Sequence, residues 1–243
     1  MVDTRVPVRT VSASPKTVPG WALDHPALAT EYEIGQEVAT REAYGSALVR
    51  LAQVCPDVVA LDGDTKNSTF SEKLLRAKPD RFIECSIAEQ NMIGVAIGMS
   101  KEGKIPFVST FACFLTRAYD QIRMSVYSRP QHLILCGSHV GVSIGEDGAS
   151  QMGLEDFAMF RALLESTVLC PSDAVAAEKL TFEAAKILGL VYLRMSRPKT
   201  KILYDNKESF PVGGSKTWGD GKDAAIVAVG VTVHEALAAK AEL

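Results

Sequence analysis

Glu89 is the single carboxylate at the mouth of a small-residue, apolar, helix-like segment that follows Ser86 in the stretch RFIECSIAEQNMIGVAIG, Arg81 to Gly98. Two chemistries fit it. Ser86-x-x-Glu89 has the spacing of a capping box, in which a hydroxyl and a carboxylate satisfy each other's orphan backbone donors. The second reading is proton exchange near neutrality, which needs apolar shielding to raise a carboxyl pKa. Ile87, Met92 and Ile93 could supply that shielding. Spacing alone leaves both readings open.

The other chemistry-bearing stretch is GSHVGVSIGEDGASQMG, with Gly137, Gly141, Gly145, Gly148 and Gly153. It matches neither the dinucleotide fingerprint nor the phosphate loop, because no Gly-Lys-Ser/Thr is present. Glycines after a strand still let backbone approach a ligand closely. His139, Glu146 and Asp147 add hydrogen-bonding groups that a plain turn does not need, so structural and functional readings of His139 stand level. Arg41, Arg117, Arg123 and Arg197 would ordinarily be surface charge. Arginine is nevertheless suited to gripping phosphate with two donors, and Arg197 lies just past a strand-like run. The Asp62-Gly63-Asp64 loop is excluded as a calcium loop: Lys66 stands where an oxygen ligand belongs and the required glycine is missing.

These residues need a frame. Apolar residues at spacings of three and four predict a helix over 38–55, ended by Pro56. Short apolar runs predict strands at Val58–Leu61, Phe82–Cys85 (buried), Ile105–Phe111, His132–Cys136, Thr167–Cys170 and Leu190–Met195. Helices are predicted between them at 71–77, after Ser86, at 116–127, 154–164 and 171–188. Strand alternating with helix at this spacing predicts an α/β fold, a mostly parallel sheet with helices on both faces. Ligands of such sheets sit where carboxyl ends of strands feed into helices, and Glu89 is at such a junction.

The domain reading is a flexible lead-in over 1–37, the α/β domain over 38–198, a polar linker over 199–223, and over 224–243 the truncated start of a further domain. The run Ala224–Gly230 reads there as a strand fit for burial on both faces. Gly219-Asp220-Gly221 reads as a linker turn. With 243 residues, a net charge of -3 and a pI near 5.9, the chain gives no reason to expect nucleic acid or an anionic membrane as partner. No apolar run approaches the roughly 20 residues that cross a bilayer. Five widely spaced cysteines, mostly in apolar runs, predict buried, reduced thiols and a cytoplasmic protein.

The motifs ATREAYG, ALDGDTKNSTFSE, RFIECSIAEQNM, STFACFLTRAYDQIRM, CGSHVGVSIGEDGASQMGLEDFAMFR and MSRP, in this order, resemble the pyrimidine-binding domain of transketolase, nearest to the animal-type enzymes. The resemblance implies a thiamine diphosphate enzyme that moves a two-carbon ketol unit from a ketose phosphate to an aldose phosphate. In that family the glutamate matching Glu89 holds a proton on the cofactor's pyrimidine ring, which makes it catalytic and cofactor-binding at once. Phe114 matches the aromatic that stacks on the pyrimidine, and Gln151 a position contacting cofactor or substrate. Arg41, Ser68, His139 and Arg197 match groups that bind the sugar phosphate, His139 also acting in catalysis. Asp147 matches a carboxylate that meets a substrate hydroxyl.

The family holds the diphosphate through a divalent metal, magnesium or calcium, on a domain this chain is expected to lack. No metal ligand is therefore assigned here. A second transketolase-type subunit, as homodimer or complementing chain, is the expected partner, and activity alone is not expected. The alternative is a non-catalytic dimerisation module derived from transketolase. The GSHVGVSIGEDGASQM loop speaks for transketolase over a deoxyxylulose phosphate synthase or a 2-oxo acid dehydrogenase β subunit.

Overall fold

The computed structural model describes residues 25–130 and 132–243; most of the expected lead-in, 1–24, lies outside them. The chain runs β1 (Glu37–Ala39), α1 (Thr40–Val54), β2 (Val58–Asp62), α2 (Lys66–Thr69), α3 (Glu72–Ala77), β3 (Phe82–Glu84) and α4 (Glu89–Lys101). It continues through β4 (Ile105–Phe111), α5 (Tyr119–Ser128), β5 (His132–Ser138), α6 (Asp156–Arg161) and β6 (Thr167–Leu169). Last come α7 (Ala174–Ala184), β7 (Gly189–Arg194), β8 (Lys199–Lys201) and α8 (Thr232–Glu242).

Six strands form one sheet in the order β3-β2-β4-β5-β7-β6, every pairing parallel. Side chains alternate across a strand. Val58, Ala60, Ile134 and Cys136 therefore pack on one face with Ala47 and Leu48 of α1 and Val175 and Phe182 of α7. Val59, Leu61, Leu133 and Leu135 pack on the other face with Met92, Ile93 and Ala96 of α4 and Ile122 of α5. Both faces are covered, so β2, β4 and β5 are buried along their whole length. The chain leaves β2 toward β3 but leaves β4 toward β5. That reversal opens a crevice between the carboxyl ends of β2 and β4, where ligands of such folds bind.

Four expectations need correction. Phe82–Glu84 is a half-exposed edge strand rather than a buried one, since β3 has a neighbour on one side only. The expected linker begins with β8, which pairs antiparallel with β1 from the expected lead-in, and Ile202 beyond it is in the core. Ala224–Gly230 forms no strand, and Val227 is 92% exposed. Of the five cysteines, all unpaired, Cys55 and Cys136 are buried and Cys85, Cys113 and Cys170 only partly so.

Candidate active site

Helices packed on a parallel sheet run antiparallel to its strands, so α1, which leads into β2, and α4, which follows β3, both start on the same sheet edge as the ends of β2, β3, β4 and β5. Three residues just past strands on this edge, Asp64, Ser86 and His139, have φ of 63°, 52° and 58°. Non-glycine residues held in the left-handed region cost about 1 kcal/mol or more each and gather at functional sites. Arg129 and Glu165, before β5 and β6, and Phe70, after α2, share this conformation, so it is not confined to the edge where the crevice opens.

Ser86 does not cap α4. The helix begins at Glu89 itself, with Ala88 as N-cap and no side-chain cap bond. The Ser86 N–H instead donates to Glu84 Oε1 at 3.1 Å, and the same oxygen accepts from Asp64 N–H. Glu89 is 3% exposed, with Met92 and Ile93 fully buried beside it and Ile87 67% exposed. Met92 and Ile93, three and four residues on in the same helix, lie on its buried side, and Ile87 does not. Arg117 Nη1 donates to Glu89 Oε2 at 3.0 Å and to the Ile87 carbonyl, and the first turn of a helix favours a negative charge.

Phe114 opens a 3-10 turn, Phe114–Ala118, and Arg117 follows three residues later. A 3-10 period of three puts both on one face. That spacing is the signal by which Arg117, taken from the sequence as surface charge, could have been found. The Phe114 ring stacks on Phe111 at 5.1 Å, and Phe111 stacks on His139 at 3.7 Å. Thr110 Oγ1, one residue before Phe111, is buried without a hydrogen-bond partner. A carboxylate, an aromatic shelf and an unpaired hydroxyl on one edge suit a heteroaromatic ring carrying nitrogen donors and acceptors.

The other residues converge through the terminal ribbon. Pairing of β1 with β8 brings Thr40 to Ser196, whose N–H donates to Thr40 Oγ1 at 2.9 Å. Arg41 Nε then donates to the Arg197 carbonyl at 3.2 Å, across 156 residues of sequence. Arg41 Nη1 also donates to the Ser68 carbonyl at 2.6 Å. Ser68 lies in α2, a single turn fixed by Asp62, which accepts from Thr65 N–H and from the hydroxyls of Thr65, Thr69 and Ser71.

Arg197 Nε meets Asp147 Oδ2 at 2.9 Å, and its Nη2 meets Glu146 Oε1 at 2.7 Å. His139 Nε2 is 3.8 Å from the same Asp147 oxygen. The glycine-rich loop folds back because Gly141 N–H bonds the Gly153 carbonyl and Gly153 N–H bonds the His139 carbonyl. A Cβ at Gly153 would lie 2.5 Å from Ala112 Cβ, so only glycine fits this return. The structure thus joins Arg41, Ser68, His139, Asp147 and Arg197 into one polar chain. Gln151 sits in the same loop, half-buried in a short 3-10 turn, and is not part of that chain.

His139 is 2% exposed, and its Nδ1 lies 2.9 Å from Ser138 Oγ. Burial first, then the charges of Arg41 and Arg197, push its pKa down from 6.5 to about 3. Asp147 does not offset this, being beyond hydrogen-bond reach and engaged by Arg197. The imidazole is therefore neutral at pH 7. Its contribution to stability is present in full above pH 6.5 and is lost as pH falls toward about 3. A ¹H–¹⁵N titration of the His139 ring is expected to show no midpoint above pH 5; a midpoint at 6 or higher would contradict this environment.

Two open cavities elsewhere, one along residues 25–30 and 206–210 and one between 168–172 and 211–233, include none of these residues.

Comparison with known proteins agrees with the fold. Residues 36–201 match the family described as transketolase, pyrimidine binding domain. Human transketolase is 54% identical over 211 residues, covering 86% of this chain and 34% of that protein. Bovine transketolase-like protein 1 is 52% identical over 216 residues, 88% of this chain and 36% of that protein. The chain therefore spans about a third of the length of these curated relatives. A solved split-gene transketolase, described as an inactive beta4 tetramer, is similar with a TM-score of 0.76 and 40% identity over 85% of this chain and 69% of that one. With the profile of the pyrimidine-binding domain lying over the whole parallel sheet and its edge of polar residues, this chain belongs to the transketolase family.

Proposed function

We propose that this chain carries the pyrimidine-side and sugar-phosphate-side half of a transketolase-type site, which transfers a two-carbon ketol unit from a ketose phosphate to an aldose phosphate with thiamine diphosphate. The observation that supports this best is the meeting of Arg41, Ser68, His139, Asp147 and Arg197 on the sheet edge that also holds Glu89 and Phe114. A plain dimerisation module has no need to gather two arginines, a histidine and a carboxylate in this way.

Bound thiamine diphosphate supplies the carbon nucleophile for breaking and forming the carbon–carbon bond of the ketol unit. Glu89 would meet a pyrimidine nitrogen with its carboxylate and keep a proton on that ring. Met92 and Ile93 keep water from the inner side of that carboxylate, and Arg117 fixes its direction. Phe114 offers the pyrimidine an aromatic face, and Gln151 a side-chain amide. His139, neutral and backed by Ser138, donates or accepts at Nε2 toward a substrate hydroxyl. Asp147 accepts from another hydroxyl. Arg41 and Arg197, with Ser68, take the phosphate by charge-assisted, paired hydrogen bonds.

The reading places the divalent cation, magnesium or calcium, with the diphosphate on a domain brought by a complementing chain or a second subunit, in the cytoplasm. Mixing the purified chain with one carrying that diphosphate domain, cofactor and cation tests it. Ketol transfer is expected to exceed that of either chain alone and to saturate near equal stoichiometry. No gain over the partner's own rate, under conditions that reconstitute a full-length enzyme, would overturn the proposal.

A further inference from the structure

We infer that Glu146 is a built-in stand-in for the substrate phosphate: its carboxylate occupies Arg197 in the free chain, and an arriving phosphoryl group displaces it. This rests on the reading of Arg197 as a phosphate contact. Glu146 and Asp147 present two oxygens from consecutive residues to Nη2 and Nε of one guanidinium, at 2.7 and 2.9 Å. That is the two-point grip by which arginine otherwise takes an oxyanion.

The two carboxylates are not equivalent. Asp147 is the inner one, its side chain 27% exposed and facing His139, whereas the Glu146 side chain is 73% exposed. Glu146 rides a 3-10 turn, Gly145–Asp147, between Gly145 and Gly148, both at positive φ (62° and 83°). Fully buried Ile144 anchors the turn from just before it, and Arg197 holds Asp147 at its far end. Glu146 can therefore swing into water while Asp147 stays in place. Its carboxyl is held below the ordinary range by its own backbone amide first and by Arg197 second, so it carries its charge throughout neutral pH.

Burial first, and then the nearby charge of Arg197, push the Arg41 pKa down. Glu146 sets a negative charge against Arg197 when no ligand is bound, and its departure leaves the two arginines with one negative charge fewer beside them. A phosphorylated sugar can compete for Arg197. An unphosphorylated sugar, offering only hydroxyls, cannot displace a carboxylate from it, so the exchange selects for phosphate-bearing substrates.

Isothermal titration of the whole chain with inorganic phosphate tests the inference, using wild type, Glu146→Gln, Arg197→Gln and the double variant at low ionic strength. Because the displaced pair is largely exposed, Glu146→Gln is expected to bind phosphate about fivefold tighter. The double variant is expected to bind as weakly as Arg197→Gln. Equal or weaker binding by Glu146→Gln, with binding still lost in Arg197→Gln, overturns the stand-in and leaves the phosphate reading of Arg197 intact. Wild-type binding in Arg197→Gln overturns that reading itself. Absence of binding in every variant, Glu146→Gln included, also overturns the stand-in.

Discussion

Glu89→Gln, in the two-chain enzyme, is expected to lower kcat for ketol transfer by about two to four orders of magnitude, the range carried by a positioned acid or base. The amide has the shape of the carboxylate, so the packing against Met92 and Ile93 survives. What it loses is the capacity to hold and return a proton. Arg117 loses its ionic partner, but its own side chain is 56% exposed where that of Glu89 is 4%, and the isosteric amide oxygen can still accept its hydrogen bond, so the loss is on the order of 1 kcal/mol. For a chain of this size that moves Tm by no more than about 4 °C. Calorimetry and steady-state kinetics on the same preparation separate the two roles. A purely structural carboxylate at the start of α4 would show the opposite pattern, a fall in Tm of several degrees with kcat within about threefold of wild type.

The contrast with Ser86 shows where sequence reasoning succeeded and where it stopped. The strands β2, β4 and β5 were legible because their apolar runs are continuous, and burial on both faces in a parallel sheet demands continuity. The same rule misread Ala224–Gly230, whose composition is equally strand-like. A strand needs neighbouring backbone to accept its hydrogen bonds, and no strand among the described residues lies beside it. The ribbon of β1 and β8 failed in the other sense. Glu37–Ala39 and Lys199–Lys201 carry no pattern of their own, and the pairing arises from long-range contact.

Arg41 and Arg197 meet only because that ribbon closes, so local spacing could not join them. The roles proposed for them were readable through family motifs alone. Ser86-x-x-Glu89 had a capping spacing but not a capping backbone: at φ 52°, Ser86 turns away from the helix and leaves Glu89 as its first residue. Arg117 was hidden for a simpler reason. The turn that aligns it with Phe114 is a 3-10 turn, while the segment from Thr116 reads by periodicity as α-helix.

The largest expected effect on stability belongs to Asp62, which touches no proposed ligand. Asp62→Ala is expected to lower the unfolding free energy by about 3–5 kcal/mol, because it strands buried donors that now converge on one carboxylate. Those donors are the Thr65 N–H and the hydroxyls of Thr65, Thr69 and Ser71. Amide exchange across residues 65–71 should accelerate, and Arg41 should lose its hold on the Ser68 carbonyl. Asp62→Asn keeps the shape and removes the titration, which isolates the charge.

Burial pushes the Asp62 carboxyl up from 3.8 to about 6, outweighing the four donors that favour the charged form. The folded chain therefore binds this proton more tightly than the unfolded chain does. The corresponding stabilisation is present in full below about pH 4 and is lost as pH rises through about 6. The difference amounts to about 3 kcal/mol. Urea unfolding of wild type and Asp62→Asn between pH 4 and 7 should show the wild-type advantage shrinking by about that amount. An advantage that stays level, or grows with pH, would mean that the donors win over burial, and that Asp62 holds the Ser68 turn as an ordinary carboxylate.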